Sequence, residues 1–224
     1  MLGIDFQTYL LFVTAAMALV LTPGPDTVFV LTQGVSAGKR EGVASALGVS
    51  TGVLVHTLAA TLGLAALLRT SALAYAAVKY AGAAYLLYLG AKTLWRGDDF
   101  DFPDTASSSG DASDADLRGG YLRGVTVNVL NPKVALFFLA FLPQFVGAGG
   151  GAGGGTGTTA STVEMLALGG TYAVLTACYL GVVGLLSAGV RSAFRTRPRL
   201  ADGLRWVSGS VLVGLGAALA LETR

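Results

Sequence analysis

The sequence contains one cysteine, Cys178, and one histidine, His56. A lone thiol excludes a disulfide scaffold and a thiol relay, both of which need cysteines in pairs. One Cys and one His cannot build a zinc centre that takes three or four such ligands. Charge is scarce as well: Asp, Glu, Lys and Arg make up 12% of the 224 residues, about half the share of an ordinary soluble domain. The chain has no H-E-x-x-H segment, so the motif of an intramembrane metalloprotease is missing. No catalytic residue, cofactor or resident metal site is assigned, no nucleic-acid partner is expected, and the chain reads as something other than an enzyme. What is present is apolar: 53% of the residues are hydrophobic and 32 are glycine. That is too apolar for disorder, and the glycines lack the period of three that collagen requires. The class that remains is an all-α integral membrane protein.

Uncharged runs cover Phe6 to Pro25, Gly42 to Leu68, Val134 to Val163 and Met165 to Val190, each long enough to hold a membrane-spanning helix of about 20 residues. Two shorter or interrupted runs, Ala72 to Leu94 with Lys79 inside it and Trp206 to Leu221, supply two more. The pattern predicts six transmembrane helices near 6–33, 43–68, 72–94, 121–146, 163–188 and 204–221. A cleaved signal peptide needs a basic start, but the first cation is Lys39, so the first span is expected to stay.

The loops between spans 1 and 2, 3 and 4, and 5 and 6, with the helix ends that flank them, hold eleven lysines and arginines, whereas the opposite side holds only Arg69 and Arg224. This bias predicts that those three loops face the cytoplasm and that both termini lie outside a cytoplasmic membrane. Residues 1–95 read as a first three-helix repeat and 96–120 as an acidic cytoplasmic linker with seven aspartates between Asp98 and Asp116. Residues 121–224 read as a second three-helix repeat, in which 147–161 form a Gly-rich outer loop.

Three spans per half make the two repeats inverted relative to each other, an architecture of secondary transporters. Weak internal similarity supports this: Lys79, Tyr80, Leu86, Leu89 and Gly90 align with Arg205, Trp206, Leu212, Leu215 and Gly216 at a constant shift. More telling is a helix break in the first helix of each half. Thr22-Pro23-Gly24-Pro25-Asp26 and Asn131-Pro132-Lys133 remove backbone donors and leave carbonyls that lipid cannot satisfy. Such breaks must face protein or a polar cavity. They are either packing kinks or the half-helix ends of a binding site.

Asp26 sits where a new half-helix begins, so it is either a helix cap or a site carboxylate. Lys133 is costly near mid-membrane, at about 2.5 to 3.5 kcal/mol on insertion scales, and it opposes the dipole of its own half-helix. It needs a partner. His56 recurs with Ala44, Gly48, Gly52 and Ala60 on one small-residue face, and either a structural hydrogen bond or a proton relay explains it. Gly169, Ala173, Ala177 and Gly181 form a second such face. Cys178 reads as a small buried residue, Lys79 as a residue that snorkels outward, and Trp95 and Trp206 as an interfacial belt. A carboxylate at Asp26 and a cation at Lys133 suit the two ends of a zwitterion.

These motifs resemble the LysE/RhtB family of amino-acid exporters. The resemblance lies in TPGPD at 22–26, GKREG at 38–42, GVSTGVLVH at 48–56, KYAGAAYLLYLG at 79–90 and NPKVALFFLAFLPQF at 131–145. It implies export of small amino acids or their derivatives, driven by a proton or sodium gradient. Pro23, Gly24, Pro25 and Asp26 match one motif of that family and Asn131, Pro132 and Lys133 the other; substrate-binding or coupling roles are expected at Asp26, Asn131, Lys133 and His56, with Pro23, Gly24, Pro25 and Pro132 as the helix-break residues. The implied partners are the amino acid, a coupling ion and the bilayer, and homodimerisation stays open. A divalent metal-ion exporter is the nearest alternative; hard cations such as Mn²⁺ suit a carboxylate site.

Overall fold

The computed structural model describes residues 4–70, 72–96, 114–146, 158–189 and 198–221. The regular structure of those residues is helical, with no strand among them. Most of the acidic linker and residues 147–157 of the Gly-rich loop fall outside the described residues.

Helix α1 (Phe6–Leu21) is capped by Asp5, whose carboxylate accepts the Thr8 N–H at 2.9 Å and the Thr8 hydroxyl at 2.7 Å. The chain then breaks. Thr22 and Gly24, each followed by a proline, are extended, because the proline ring clashes with a helical residue before it. Helix α2 (Pro25–Ser36) starts with Pro25 in its first turn, where the missing N–H costs nothing, and it is inclined to α1 by 53°. A tight turn through Gly38, at φ +102°, leads into α3 (Lys39–Thr70). Helix α4 (Ala72–Arg96) ends the first half.

A second bent pair follows. Helix α5 (Asp114–Val129) is followed by a break at 130–131 and by α6 (Pro132–Leu136), with a 50° bend between the two arms. The α5 helix begins inside the stretch read as linker, and Asp114 and Asp116 lie in its first turn, where the helix dipole favours carboxylates. The predicted helix to 146 does not stay α-helical. Phe137–Phe141 widen into a π turn, with Leu142 N–H donating to Phe137 O, and Leu142–Phe145 tighten into a 3₁₀ turn. Pro143 explains the change, because it has no N–H for an α-helical bond and its ring crowds the preceding turn. Helices α7 (Thr158–Leu185) and α8 (Pro198–Leu221) complete the fold.

Helix α3 is the hub, packed along α5 and α7, while α4 packs along α8. Glycines set the approach. A Cβ on Gly48 would meet the Tyr121 carbonyl, and one on Gly52 would lie 2.7 Å from Asn128 Cβ, so the small face of α3 is where α5 lies down. The α7 face is shifted from expectation. Gly169 abuts Thr57 and Gly184 abuts Gly42, but Gly181 has nothing within 4 Å. Cys178 is exposed rather than buried, because the side of α7 that packs runs through Tyr172, Thr176, Leu180 and Val183. Lys79 is buried, not snorkelled outward, whereas Trp95 and Trp206 are exposed.

Among the described residues two helices, over Lys39–Gly63 and Thr162–Leu185, are long and apolar enough to cross a membrane, and counting each bent pair as one span raises this to four. The apolar part of α8, Arg205–Leu221, is shorter. A cluster around Phe12, Leu19, Phe137, Phe138, Phe141 and Tyr172 fills the space between the breaks and one end of the bundle. Val30, Leu31, Val49, Leu180 and Val183 fill the space between α2, α3 and α7.

Candidate substrate and ion site

The two breaks meet at the centre of the fold, and each supplies what the other lacks. Lys133, only 6% exposed, extends its ammonium to the end of α1, where Nζ donates to Thr22 O at 2.9 Å and to Leu19 O at 3.3 Å. Those carbonyls lie at a helix C-terminus, where a cation is favoured. The conflict with the dipole of its own helix is resolved by reach: the long stem leaves α6 and caps another helix. The ammonium also fixes the small size of Gly24, since a Cβ there would stand 3.1 Å from Nζ.

Asp26, 8% exposed in the first turn of α2, is not the N-cap. Its Oδ2 accepts Asn131 Nδ2 at 2.9 Å and Asn128 Nδ2 at 3.0 Å. Asn131 does the capping on α6, with Oδ1 accepting the Lys133 N–H at 3.0 Å. One side chain thus starts α6 and holds Asp26. His56 approaches from α3, its Nε2 3.0 Å from the Asn128 carbonyl and its ring stacked on Phe138 at 6.1 Å. The structure therefore brings Asp26, Asn131, Lys133 and His56 together, with Pro23, Gly24, Pro25 and Pro132 forming the two bends around them.

Sequence reasoning missed three residues here. Asn128 sits three positions before Asn131, and the α5 end places both amides on Asp26; that spacing was the available signal. Tyr172 and Thr176 come from α7, one helical turn apart, and carry no local signature in an apolar run. Asp26 Oδ1, Asn128 Oδ1 and Thr176 Oγ1 are buried with no hydrogen-bond partner among the described residues.

Two cavities flank Lys133. The smaller, bounded by Asp26, Asn128, Tyr172 and Thr176, has room for about one water molecule. The larger, of about 160 Å³, lies between the breaks and the α4–α8 pair; Tyr85, Leu89 and Leu212 form apolar walls, and Lys92, Thr93, Asn131 and Lys133 are its polar residues. Its described lining includes two lysines and no carboxylate. Among the described residues no three of His, Cys, Asp and Glu are grouped to hold a metal ion.

The model of the LysE type translocator family matches residues 17–223. The chain belongs to the LysE-type translocator family. It is 36% identical to an uncharacterized membrane protein of Pseudomonas aeruginosa, over 99% of this chain and 98% of that protein. It is 33% identical to a leucine efflux protein of Enterobacter, over 97% of this chain and 95% of the relative. It is also 32% identical to a leucine efflux protein of Klebsiella pneumoniae, over 95% and 94%. No solved structure matches the chain. As a LysE-type translocator it is a membrane transport protein, and the names of its relatives point to amino-acid export rather than catalysis.

Proposed function

We propose that this translocator is a secondary exporter of neutral amino acids with apolar side chains, of about leucine's size, driven across the cytoplasmic membrane by antiport with a proton or sodium ion. The observation that carries this reading is the larger cavity at the junction of the two breaks. About 160 Å³ is close to the roughly 150 Å³ of an engineered apolar cavity that takes up benzene, so an amino acid with a branched side chain is of the right scale. Lys92 and Lys133 offer cations to its carboxylate, while Tyr85, Leu89 and Leu212 offer apolar surface to its side chain. Absence of a carboxylate from the described lining disfavours lysine, arginine and metal cations as cargo.

In this reading the chain forms six spans in two inverted three-helix halves, with both termini outside. The bends of 53° and 50° in the first element of each half, and the pairing of α3 with α7 and α4 with α8, are what inverted repeats would produce. In the same reading Lys92, at the α4 end that precedes the acidic linker, lies on the cytoplasmic side of the larger cavity.

The test is counterflow in vesicles reconstituted with the protein. Vesicles preloaded with unlabelled leucine are expected to accumulate labelled leucine, with isoleucine and valine competing at least tenfold better than lysine or Mn²⁺. Counterflow of lysine in preference to leucine, or none with any amino acid, overturns the proposal.

A further inference from the structure

We infer that Asp26 carries the coupled proton, and that as the acid it closes a cyclic pair with the side-chain amide of Asn128. This rests on the export reading and names its driving ion and the residue that binds it.

A carboxylic acid and a primary amide can pair through two hydrogen bonds, an amide N–H to one acid oxygen and the acid O–H to the amide oxygen. One of these is already made, from Asn128 Nδ2 to Asp26 Oδ2 at 3.0 Å. The remaining atoms of that ring, Asp26 Oδ1 and Asn128 Oδ1, are both buried and both without a partner among the described residues. Both are acceptors, and neither brings a hydrogen of its own. A proton bound to Asp26 Oδ1 supplies that hydrogen, turning two unsatisfied buried atoms into one bond. On release the O–H bond breaks, the proton passes to water, and the carboxylate keeps the two amide N–H groups on Oδ2. No other co-reactant is needed.

The surroundings favour a proton over a metal cation. The ionisable groups facing Asp26 are Lys133 from α6, His56 from α3 and Tyr172 from α7, while α5 contributes the uncharged Asn128. Lys133 borders the same small cavity, and a second fixed cation beside its ammonium would be repelled. A proton joins the carboxyl covalently and removes a charge instead. The cavity has room for about one water, enough for proton transfer and too little for an amino acid. Thr176 Oγ1, also unpartnered, adds a hydroxyl that both donates and accepts along that path. His56 also bonds Asn128: a carbonyl only accepts, so Nε2 donates the hydrogen in its bond to Asn128 O. His56 is therefore a positioning residue for Asn128. The two cavities divide the work: the amino acid sits on the α4–α8 side of Lys133 and the proton on the α7 side.

Two measurements test this in reconstituted protein. Proton uptake per leucine released is expected to fall at least tenfold in Asp26→Asn relative to the wild type, at equal amounts of inserted protein. An infrared difference spectrum across a pH titration is expected to show a protonated-carboxyl band that Asp26→Asn removes and Asn128→Leu shifts in midpoint. The infrared readout needs no transport, so it stands if the export reading fails. An unchanged proton-to-leucine ratio in Asp26→Asn, leucine export driven by sodium without proton movement, or a wild type with no titrating carboxyl band each overturns the assignment. Sodium-driven leucine export would do so while leaving the export reading intact.

Discussion

Lys133 and Thr22, 111 residues apart in sequence, meet through a 2.9 Å bond from ammonium to carbonyl that closes the open end of α1. Leu19 shares the same donor at 3.3 Å. A methionine in place of Lys133 would keep the stem and leave both carbonyls without that donor, at about 1 to 3 kcal/mol for each buried group left unsatisfied. Lys133→Met is expected to lower both membrane abundance and leucine efflux, the latter at least tenfold per inserted molecule. Lys133→Arg is expected to fail as well, because a planar fork is wider than an ammonium and Gly24 already lies against Nζ. Near-normal efflux by either variant would remove Lys133 from the site.

Gly52 is where α3 admits Asn128. Its added Cβ would stand 2.7 Å from Asn128 Cβ, so Gly52→Ala must push α5 away and with it the amide on Asp26. The expected result is a lower thermal midpoint in detergent, by several degrees, together with weaker proton coupling. Gly63→Ala is the control: nothing lies within 4 Å of that position, and helix propensity alone favours alanine by about 0.5 to 1 kcal/mol. A Gly52→Ala protein as stable as Gly63→Ala would contradict the close packing.

Sidedness is open to direct labelling. Cys178 is exposed on the outer surface of α7 and bonds to nothing the proposed transport uses, so Cys178→Ala is expected to keep most leucine efflux and to serve as a cysteine-free background. In that background, single cysteines placed in 147–161 should react with an impermeant thiol reagent from outside, and one at position 108 should not. The opposite labelling pattern would reverse the topology.

Asp5 gives a pH prediction at the edge of the bundle. The Thr8 hydroxyl first, and the Thr8 N–H second, hold its carboxyl below the ordinary carboxylate range. A lowered folded-state value means that the cap is fully effective above the unfolded value, about 3.9, and is lost as pH falls through the depressed value. Asp5→Ala is expected to speed hydrogen exchange at Thr8 at neutral pH, with the gap to the wild type closing in strong acid. Equal exchange at both pH values would show that the cap contributes nothing.

Prolines made the two breaks legible, because a missing N–H is a local fact that no tertiary contact can reverse. The same holds for Asn131 and Lys133, which belong to one of those breaks. Lys133's partner was not legible, since the reading considered only the dipole of its own helix and its stem reaches another. Asn128 and Thr176 were passed over because a neutral polar residue in an apolar run gains meaning only from the helix it faces. Cys178 and the Gly181 end of the small-residue face departed from expectation for a related reason, while Gly169 and Ala173 do pack. A stripe of small residues gives a period, but the phase along α7 is set by Tyr172 and Leu180 filling space between helices. The change to π and 3₁₀ turns after Leu136 had a visible cause in Pro143, yet the apolar run around it continued and masked the change.

The mutual bracing of the breaks also sets an order of assembly. A nascent chain that ends before residue 128 carries Asp26, the Leu19 carbonyl and the Thr22 carbonyl without the amides and ammonium that hold them in the finished protein. All of these partners are delivered within a few residues of one another, after the acidic linker has been synthesised. The amino-terminal half therefore spends its early life as an incomplete structure, and its polar break closes only when the first helix of the second half is inserted beside it.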